Sequence, residues 1–353
     1  MTLKTTCIGA YPKPDWLPVI DWFKVDQGMT DSGGEVTRQY SKTMDKADDG
    51  LAEQLDRATV EAVIDQVACG IDVPTDGEQR RENYVHYQCR HLSGFDFTGL
   101  TKRVLRDGAY EASLPTIRGK IEPEGDHFLP QDWRIAQAAT DRPVKITVPG
   151  PITIKDTTAN AFYKDDKELA FDLARALNHE IRALADAGCK YIQVDEPLFA
   201  RQPEDALAYG IDALEMCFEG VGDDVVRAMH MCCGYPGHLD DHDYHKADPQ
   251  SYFQIASAID QSSINQVSIE DAHRHNDLSL LEKFTKTSVI FGAIAIANSQ
   301  IETTEEVVER LQHALRHIDK DRMVVAPDCG LGFLGRDLAM NKLKVMCEAA
   351  AAV

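Results

Sequence analysis

The stretch Val226-Arg227-Ala228-Met229-His230-Met231-Cys232-Cys233 reads as a buried strand ending in two metal-capable side chains. Side chains alternate along a strand, so His230 and Cys232, two apart, share a face. Imidazole and thiolate both suit a borderline-soft ion such as zinc. An isolated pair is ambiguous, because cysteine is often plain core and histidine is often structural. Other chemistry-bearing residues close strand-like runs elsewhere. Glu78 follows Ile71-Asp72-Val73-Pro74-Thr75-Asp76, and Asp195 and Glu196 follow Tyr191-Ile192-Gln193-Val194. Glu270 follows Val267-Ser268-Ile269, and Asp328-Cys329 follow Met323-Val324-Val325-Ala326-Pro327.

The elements that must position these residues alternate regularly. Strand-like runs centre near positions 7, 73, 146, 193, 228, 267, 291 and 325. Apolar residues at helical spacing predict helices over 51–68, ended by Gly70, over 166–187, capped by Gly188, and over 305–317. The segment 13–50 is polar and reads as irregular. Residues 82–140, rich in aromatics, charge, glycine and proline, break the alternation and read as a long insertion with a hairpin able to cover a pocket. Eight strand–helix units predict an α/β fold, a single (β/α)8 TIM barrel over residues 1–353, with the insertion after strand 2. No G-x-G-x-x-G follows the first strand and no P-loop motif occurs, which disfavours dinucleotide and P-loop folds.

In such a barrel the strand C-termini gather on one face, where catalysis occurs. His230, Cys232, Glu270 and Cys329 then converge as nitrogen, sulfur and oxygen donors in the tetrahedral number zinc prefers. Zinc lowers the pKa of a bound substrate thiol, and the thiolate is the nucleophile for alkyl transfer. Glu270 is the candidate exchangeable ligand. Taken singly, Glu270 would pair with a base and Cys329 would be an ordinary buried thiol; convergence at the strand ends is what favours the metal. Cys233, on the opposite strand face, reads as packing or as support behind the ligands. Of the adjacent Asp195 and Glu196 one is expected to be structural; the other, or Glu78, can hold an ammonium group, with a structural ion pair as the competing reading for each. His238, His242, His245, His273 and His275 read as solvated loop histidines rather than a second metal site.

The chain has 353 residues, 58 Asp and Glu against 37 Lys and Arg, and a net charge of −21. That balance disfavours a nucleic-acid or anionic-membrane partner, which needs a basic patch. No apolar stretch reaches the roughly 18 residues of a membrane span. Nine scattered cysteines lack the spacing of a disulfide scaffold and suit a reducing, cytoplasmic setting.

Seven ordered stretches carry a family resemblance: Ile8-Gly9-Ala10-Tyr11-Pro12, Asp76-Gly77-Glu78, Val148-Pro149-Gly150-Pro151-Ile152-Thr153, Ile192-Gln193-Val194-Asp195-Glu196-Pro197, His230-Met231-Cys232, Ser268-Ile269-Glu270, and Pro327-Asp328-Cys329-Gly330-Leu331. The chain resembles the catalytic half of cobalamin-independent methionine synthase, in the wider barrel group that includes uroporphyrinogen decarboxylase. The resemblance implies zinc on His230, Cys232, Glu270 and Cys329. It implies that Glu78 and Asp195 meet the amino group of homocysteine or methionine, and that the backbone at Ile8 and Gly9 holds the carboxylate.

Several positions depart from the family pattern. The second, N-terminal barrel of the full-length enzymes has no counterpart here. Lys155-Asp156-Thr157-Thr158 stands where those enzymes carry a pterin-stacking tryptophan, and Ala297 stands where a histidine assists methyl transfer. Ala10 replaces a motif serine. The pattern resembles short, single-barrel members, whose methyl donor can be 5-methyltetrahydrofolate, a methylcorrinoid or a methyl group delivered by a partner protein. The expected activity is zinc-dependent S-methylation of homocysteine. Alkyl transfer to another small thiol such as coenzyme M is the alternative, and a non-catalytic zinc module is the alternative of another class.

Overall fold

The computed structural model describes residues 2–24, 32–105, 110–234, 237–241, 244 and 246–353. Seven parallel strands form one curled sheet in the order β1 (Lys4–Thr5), β10 (Met323–Pro327), β9 (Ser288–Ile294), β8 (Gln266–Ile269), β7 (Val226–Met231), β6 (Tyr191–Asp195) and β4 (Lys145–Pro149). Residues 71–75 run between the two edge strands. Val73 bridges to Thr6 and Thr75 to Lys145, both in parallel. The Val73 amide donates to the Thr5 carbonyl at 3.0 Å, and the Lys145 amide to the Pro74 carbonyl at 2.8 Å. The strand expected near 73 is therefore reduced to single bridges, because Pro74 has no N–H to extend a ladder.

Between and around the strands lie α1 (Ser32–Met44), α2 (Asp49–Ala68), α3 (Tyr84–Cys89), α4 (Leu129–Gln137), α5 (Pro151–Thr157), α6 (Asp166–Ala187), α7 (Pro203–Asp205), α8 (Ile211–Cys217), α9 (Gln250–Gln261), α10 (Thr304–Ala314) and α11 (Arg336–Ala352). The long helices begin and end where local chemistry dictates. Asp48 accepts from the Leu51 amide at 3.0 Å to start α2, and Asp165 accepts from the Lys167 amide at 2.8 Å to start α6. Gly188 takes φ +109° to end α6. The apolar face of α6 (Leu169, Leu173, Leu177, Ile181 and Leu184) is wholly buried, each side chain contributing about 2–3 kcal/mol of apolar burial.

Helix α1 corrects the expectation that 13–50 is irregular. Its apolar residues come only once per turn, at Val36, Tyr40 and Met44, too sparsely for the period to stand out. Tyr40 packs with Leu51 and Leu55 of α2, and the helix lies against the strands of the hairpin, which supply the partner surface. That hairpin, β2 (Phe95–Leu105) with β3 (Tyr110–Ile117), falls in the segment expected to hold one, and β5 (Ala159–Asn160) adds to it in parallel. At the end of the same segment, α4 packs against α2 and α6 in the helical layer.

Alternation along the strands sorts the side chains onto two faces. Ile146, Val148, Ile192, Val194, Met229, Met231, Val267 and Ile269 join the large core shared with the helices. Ile8, Ala228, Ile290, Val324 and Ala326 form a separate small cluster on the other face. Lys145, Thr147, Gln193, Asp195, His230 and Ser268 share strand parity with that inner set. The inner polar groups satisfy one another: the Lys145 ammonium donates to Gln193 Oε1 at 2.6 Å, and Gln193 Nε2 donates to the Ile8 carbonyl at 2.8 Å and to Asp195 Oδ1 at 2.7 Å.

Candidate active site

The end of β7 delivers His230 and Cys232, and the turn after β10 delivers Cys329. Ligand-capable atoms of these three residues lie within 4.8 Å of one another. His230 Nε2 is 3.2 Å from Cys329 Sγ, while its Nδ1 is 3.0 Å from Ser268 Oγ on the neighbouring strand. A hydroxyl on Nδ1 orients the ring and leaves Nε2 for a metal. The hydrogen bond from Cys329, then His230, holds the Cys232 thiol well below its usual range, and the same contact pushes Cys329 up. Burial opposes protonation of His230, but Cys232 outweighs it and raises the imidazole.

Glu270 stands apart from this group. Its Oε1 is 2.7 Å from the Lys246 ammonium, and its Oε2 accepts the Cys233 amide at 2.9 Å. Burial and then the charge of Asp328 raise its pKa, against the pull of Lys246. Asp328, adjacent to Cys329, is an anchor. Its Oδ1 accepts the amides of Asp271 and Ala272 at 2.8 and 2.9 Å, and its Oδ2 meets the His273 amide and Nδ1, both at 2.7 Å. One wholly buried carboxylate thus ties the three residues after Glu270 to the turn carrying Cys329. Burial alone would raise its pKa, but these donors hold it below the ordinary value. His273 Nε2 accepts the Ala297 amide at 3.3 Å, so this histidine is built into the wall.

Glu78 sits on the turn Asp76-Gly77-Glu78 with φ +56°, a left-handed conformation rare for a residue with a side chain. The Asp76 carboxylate accepts the Glu78 amide at 3.1 Å. The Glu78 carboxylate accepts from Thr147 Oγ1 at 2.7 Å and lies 3.6 Å from buried Arg81, which also donates to the Thr147 carbonyl and to Asp76. A Cβ on Gly9 would fall 2.6 Å from Glu78 Oε1, so glycine is what lets the first strand's end approach this carboxylate. Burial raises the Glu78 pKa, against the pull of Arg81. Asp195, beside His230 in register, is raised to about 7 by burial and by the charge of Glu78, against the pull of His230. Its neighbour Glu196 is structural: it accepts the Ile152 and Thr153 amides at 2.9 and 3.0 Å and the Thr153 hydroxyl at 2.8 Å, capping α5.

Of the loop histidines, His238 and His275 are exposed, and His242 and His245 lie outside the described residues. A second metal-capable group is His127, His179 and Glu180, whose two histidines line a cleft of about 790 Å³ on the outer helices. Glu180 is already engaged there by His127 Nδ1 at 2.7 Å and by the Phe128 and Leu129 amides at the start of α4. Arg134, Arg175 and Arg182 line the same cleft and disfavour a cation. Thr157 donates to the Thr153 carbonyl at 2.6 Å, and Ala297 is buried.

Residues 30–352 match the family described as "Cobalamin-independent synthase, Catalytic domain". A methionine synthase from Sulfolobus acidocaldarius is 33% identical over 342 residues, covering 97% of this chain and 89% of that protein. One from Saccharolobus solfataricus is 31% identical, covering 98% and 93%. The solved structure of a B12-independent methionine synthase from Shewanella sp. W3-18-1 in complex with selenomethionine superposes with a TM-score of 0.85 at 30% identity, covering 99% of this chain and 97% of that one. The fold is thus of the TIM-barrel type, and the protein is an enzyme, a methyltransferase. It belongs to the cobalamin-independent methionine synthase family.

Lys246, Arg81, Thr147 and the anchoring role of Asp328 went unassigned from sequence. Thr147 and Gln193 carried a readable signal, being polar residues at period two within apolar strands. Lys246 carried none, since it lies in a loop far from Glu270 in sequence.

Proposed function

We propose that this protein transfers a methyl group to the thiol of homocysteine to form methionine, using zinc held by His230, Cys232, Cys329 and Glu270. The observation that carries the reading is the convergence of one imidazole and two thiols at the strand ends, with Cys232 already inclined to thiolate. This donor set fits zinc and disfavours magnesium or calcium, which take oxygen ligands. The chemistry zinc supplies when bound is thiol activation near neutral pH. Ser268 keeps the His230 ring turned so that Nε2 faces the site.

The chain's own residues account for binding of the amino acid. Glu78 and Asp195 offer carboxylates to its ammonium group, and Arg81 balances only part of the local negative charge. An incoming ammonium favours the ionised form of both acids and offsets the cost of their burial. The carbonyls of Ile8 and Gly9 already accept from Gln193 Nε2 and Thr75 Oγ1. Their amides are the groups left to meet the substrate carboxylate. Placement beside the thiol then converts methyl transfer into an oriented in-line displacement.

The donor side is less like the folate users, because Thr157 and Ala297 occupy the positions named above. The donor is 5-methyltetrahydrofolate, a methylcorrinoid or a partner-delivered methyl group. The two edge bridges favour a closed (β/α)8 barrel, and coverage of 89–97% of the relatives' lengths favours a single catalytic barrel with residues 82–140 as its insertion. Nine free cysteines suit a cytoplasmic enzyme. Among the described residues no helix is long and apolar enough to cross a membrane.

The test is turnover of homocysteine by purified, zinc-loaded protein, with methylfolate and methylcobalamin offered separately and methionine read by mass spectrometry. The ammonium contacts favour homocysteine over coenzyme M, which is run as the competing thiol. Methylation of coenzyme M but not homocysteine would overturn the substrate assignment. Failure of homocysteine to perturb the bound metal would overturn the thiol-activation reading.

A further inference from the structure

Glu270 is the one member of the proposed ligand set that is not with the others. Its carboxylate is 3% exposed and both oxygens are occupied, one by the Lys246 ammonium at 2.7 Å and one by the Cys233 amide at 2.9 Å. Lys246 is itself mostly buried, at 14% exposure, with its ammonium 4.8 Å from the centre of the Tyr244 ring. Two charged groups this sheltered attract strongly, and parting them without replacement leaves an unpaired buried charge. Meanwhile His230, Cys232 and Cys329 come together without Glu270.

We propose that Lys246 is a positioning residue that competes with the metal for Glu270, so that the site alternates between three and four protein ligands. With Glu270 on Lys246, His230, Cys232 and Cys329 leave a fourth position open for a substrate thiol. With Glu270 released, the carboxylate closes that position, and the ammonium turns along its flexible stem toward water. No bond to carbon or hydrogen changes in this exchange; one carboxylate trades an ammonium partner for a cation. The loop bearing Lys246 thereby sets how readily the site admits its thiol. This inference rests on the zinc reading above.

The test measures zinc affinity by competition with a chromophoric chelator, and the absorption of the cobalt-substituted protein, for wild type, Lys246→Met, Lys246→Arg, Glu270→Gln and the Lys246→Met/Glu270→Gln double variant. Lys246→Met should tighten zinc binding about tenfold, the scale on which outer partners tune metal ligands, and shift the cobalt bands toward a fixed four-ligand pattern that homocysteine perturbs less. Lys246→Arg should restore wild-type behaviour. In the double variant the gain should vanish, because it acts only through Glu270. Lys246→Gln, which keeps a hydrogen-bond donor, stands in if the methionine variant does not fold. Unchanged or weaker zinc binding in folded Lys246→Met, or a gain that survives Glu270→Gln, overturns the inference and leaves the zinc site standing. Absence of stoichiometric zinc from the wild type overturns the zinc reading itself.

Discussion

Replacing Asp328 with asparagine should damage the protein far more than loss of a single charge on a surface would. The carboxylate accepts four hydrogen bonds, two on each oxygen, from the Asp271, Ala272 and His273 amides and the His273 ring. Asparagine keeps one acceptor oxygen and turns an NH2 toward two donors. Bonds to a charged group are worth about 1.5–3 kcal/mol each, so losing two costs about 3–6 kcal/mol. A typical domain has only about 5–15 kcal/mol in total. Water has little room to compensate, since even a Cβ on Gly292 would fall 2.2 Å from Asp328 Oδ1. Urea unfolding of the metal-free protein gives the difference, and hydrogen exchange should show the 271–273 amides losing protection first. A loss under about 1 kcal/mol, with those amides still protected, would refute the anchoring argument. Acid should act in the same direction. The Asp328 pKa lies below its ordinary value of 3.8, so its contribution is complete above that pH and is lost as pH falls through the lower folded value.

Gly9→Ala should leave the fold intact, as Gly9 has no left-handed φ, but its Cβ would press the Glu78 carboxylate off Thr147. Amino-acid affinity measured by calorimetry should fall about tenfold or more, the equivalent of one lost charge-assisted bond; unchanged affinity would remove Glu78 from the binding site. Lys145 is wholly buried, and burial lowers its pKa from 10.5 to about 8. The unfolded chain therefore binds more protons between those values, and stability should rise with pH from about 8 to 10.5 by up to about 3 kcal/mol. Lys145→Met should flatten that rise, as read from unfolding midpoints at each pH.

Much of the fold was legible because its signals are local. The 3.6-residue period and flanking caps defined α6, and the two-residue period of β4, β6 and β7 separated helix-facing from inward-facing residues. The strand near 73 is the partial exception, since Pro74 limits it to bridges. Helix α1 is not legible in the sequence because its apolar face is thin and its partners, the start of α2 and the hairpin, are supplied by packing. The site was legible for a similar reason: polar residues at the ends of successive parallel strands must gather on one face.

Sequence by itself determined which residues arrive at that face, since strand parity places Asp195, His230 and Cys232 inward whatever the helices do. It also marked Glu196 as a neighbour of Asp195 without saying which carboxylate was structural. Packing is what settles that Glu196 caps α5 while Asp195 stays beside His230. Only in the tertiary structure did Glu270 prove to be held by Lys246 while His230, Cys232 and Cys329 gather without it. Both outcomes depend on donors from remote segments. A carboxylate goes to the donors that best replace its lost water, and those are fixed by packing rather than by neighbours in the chain.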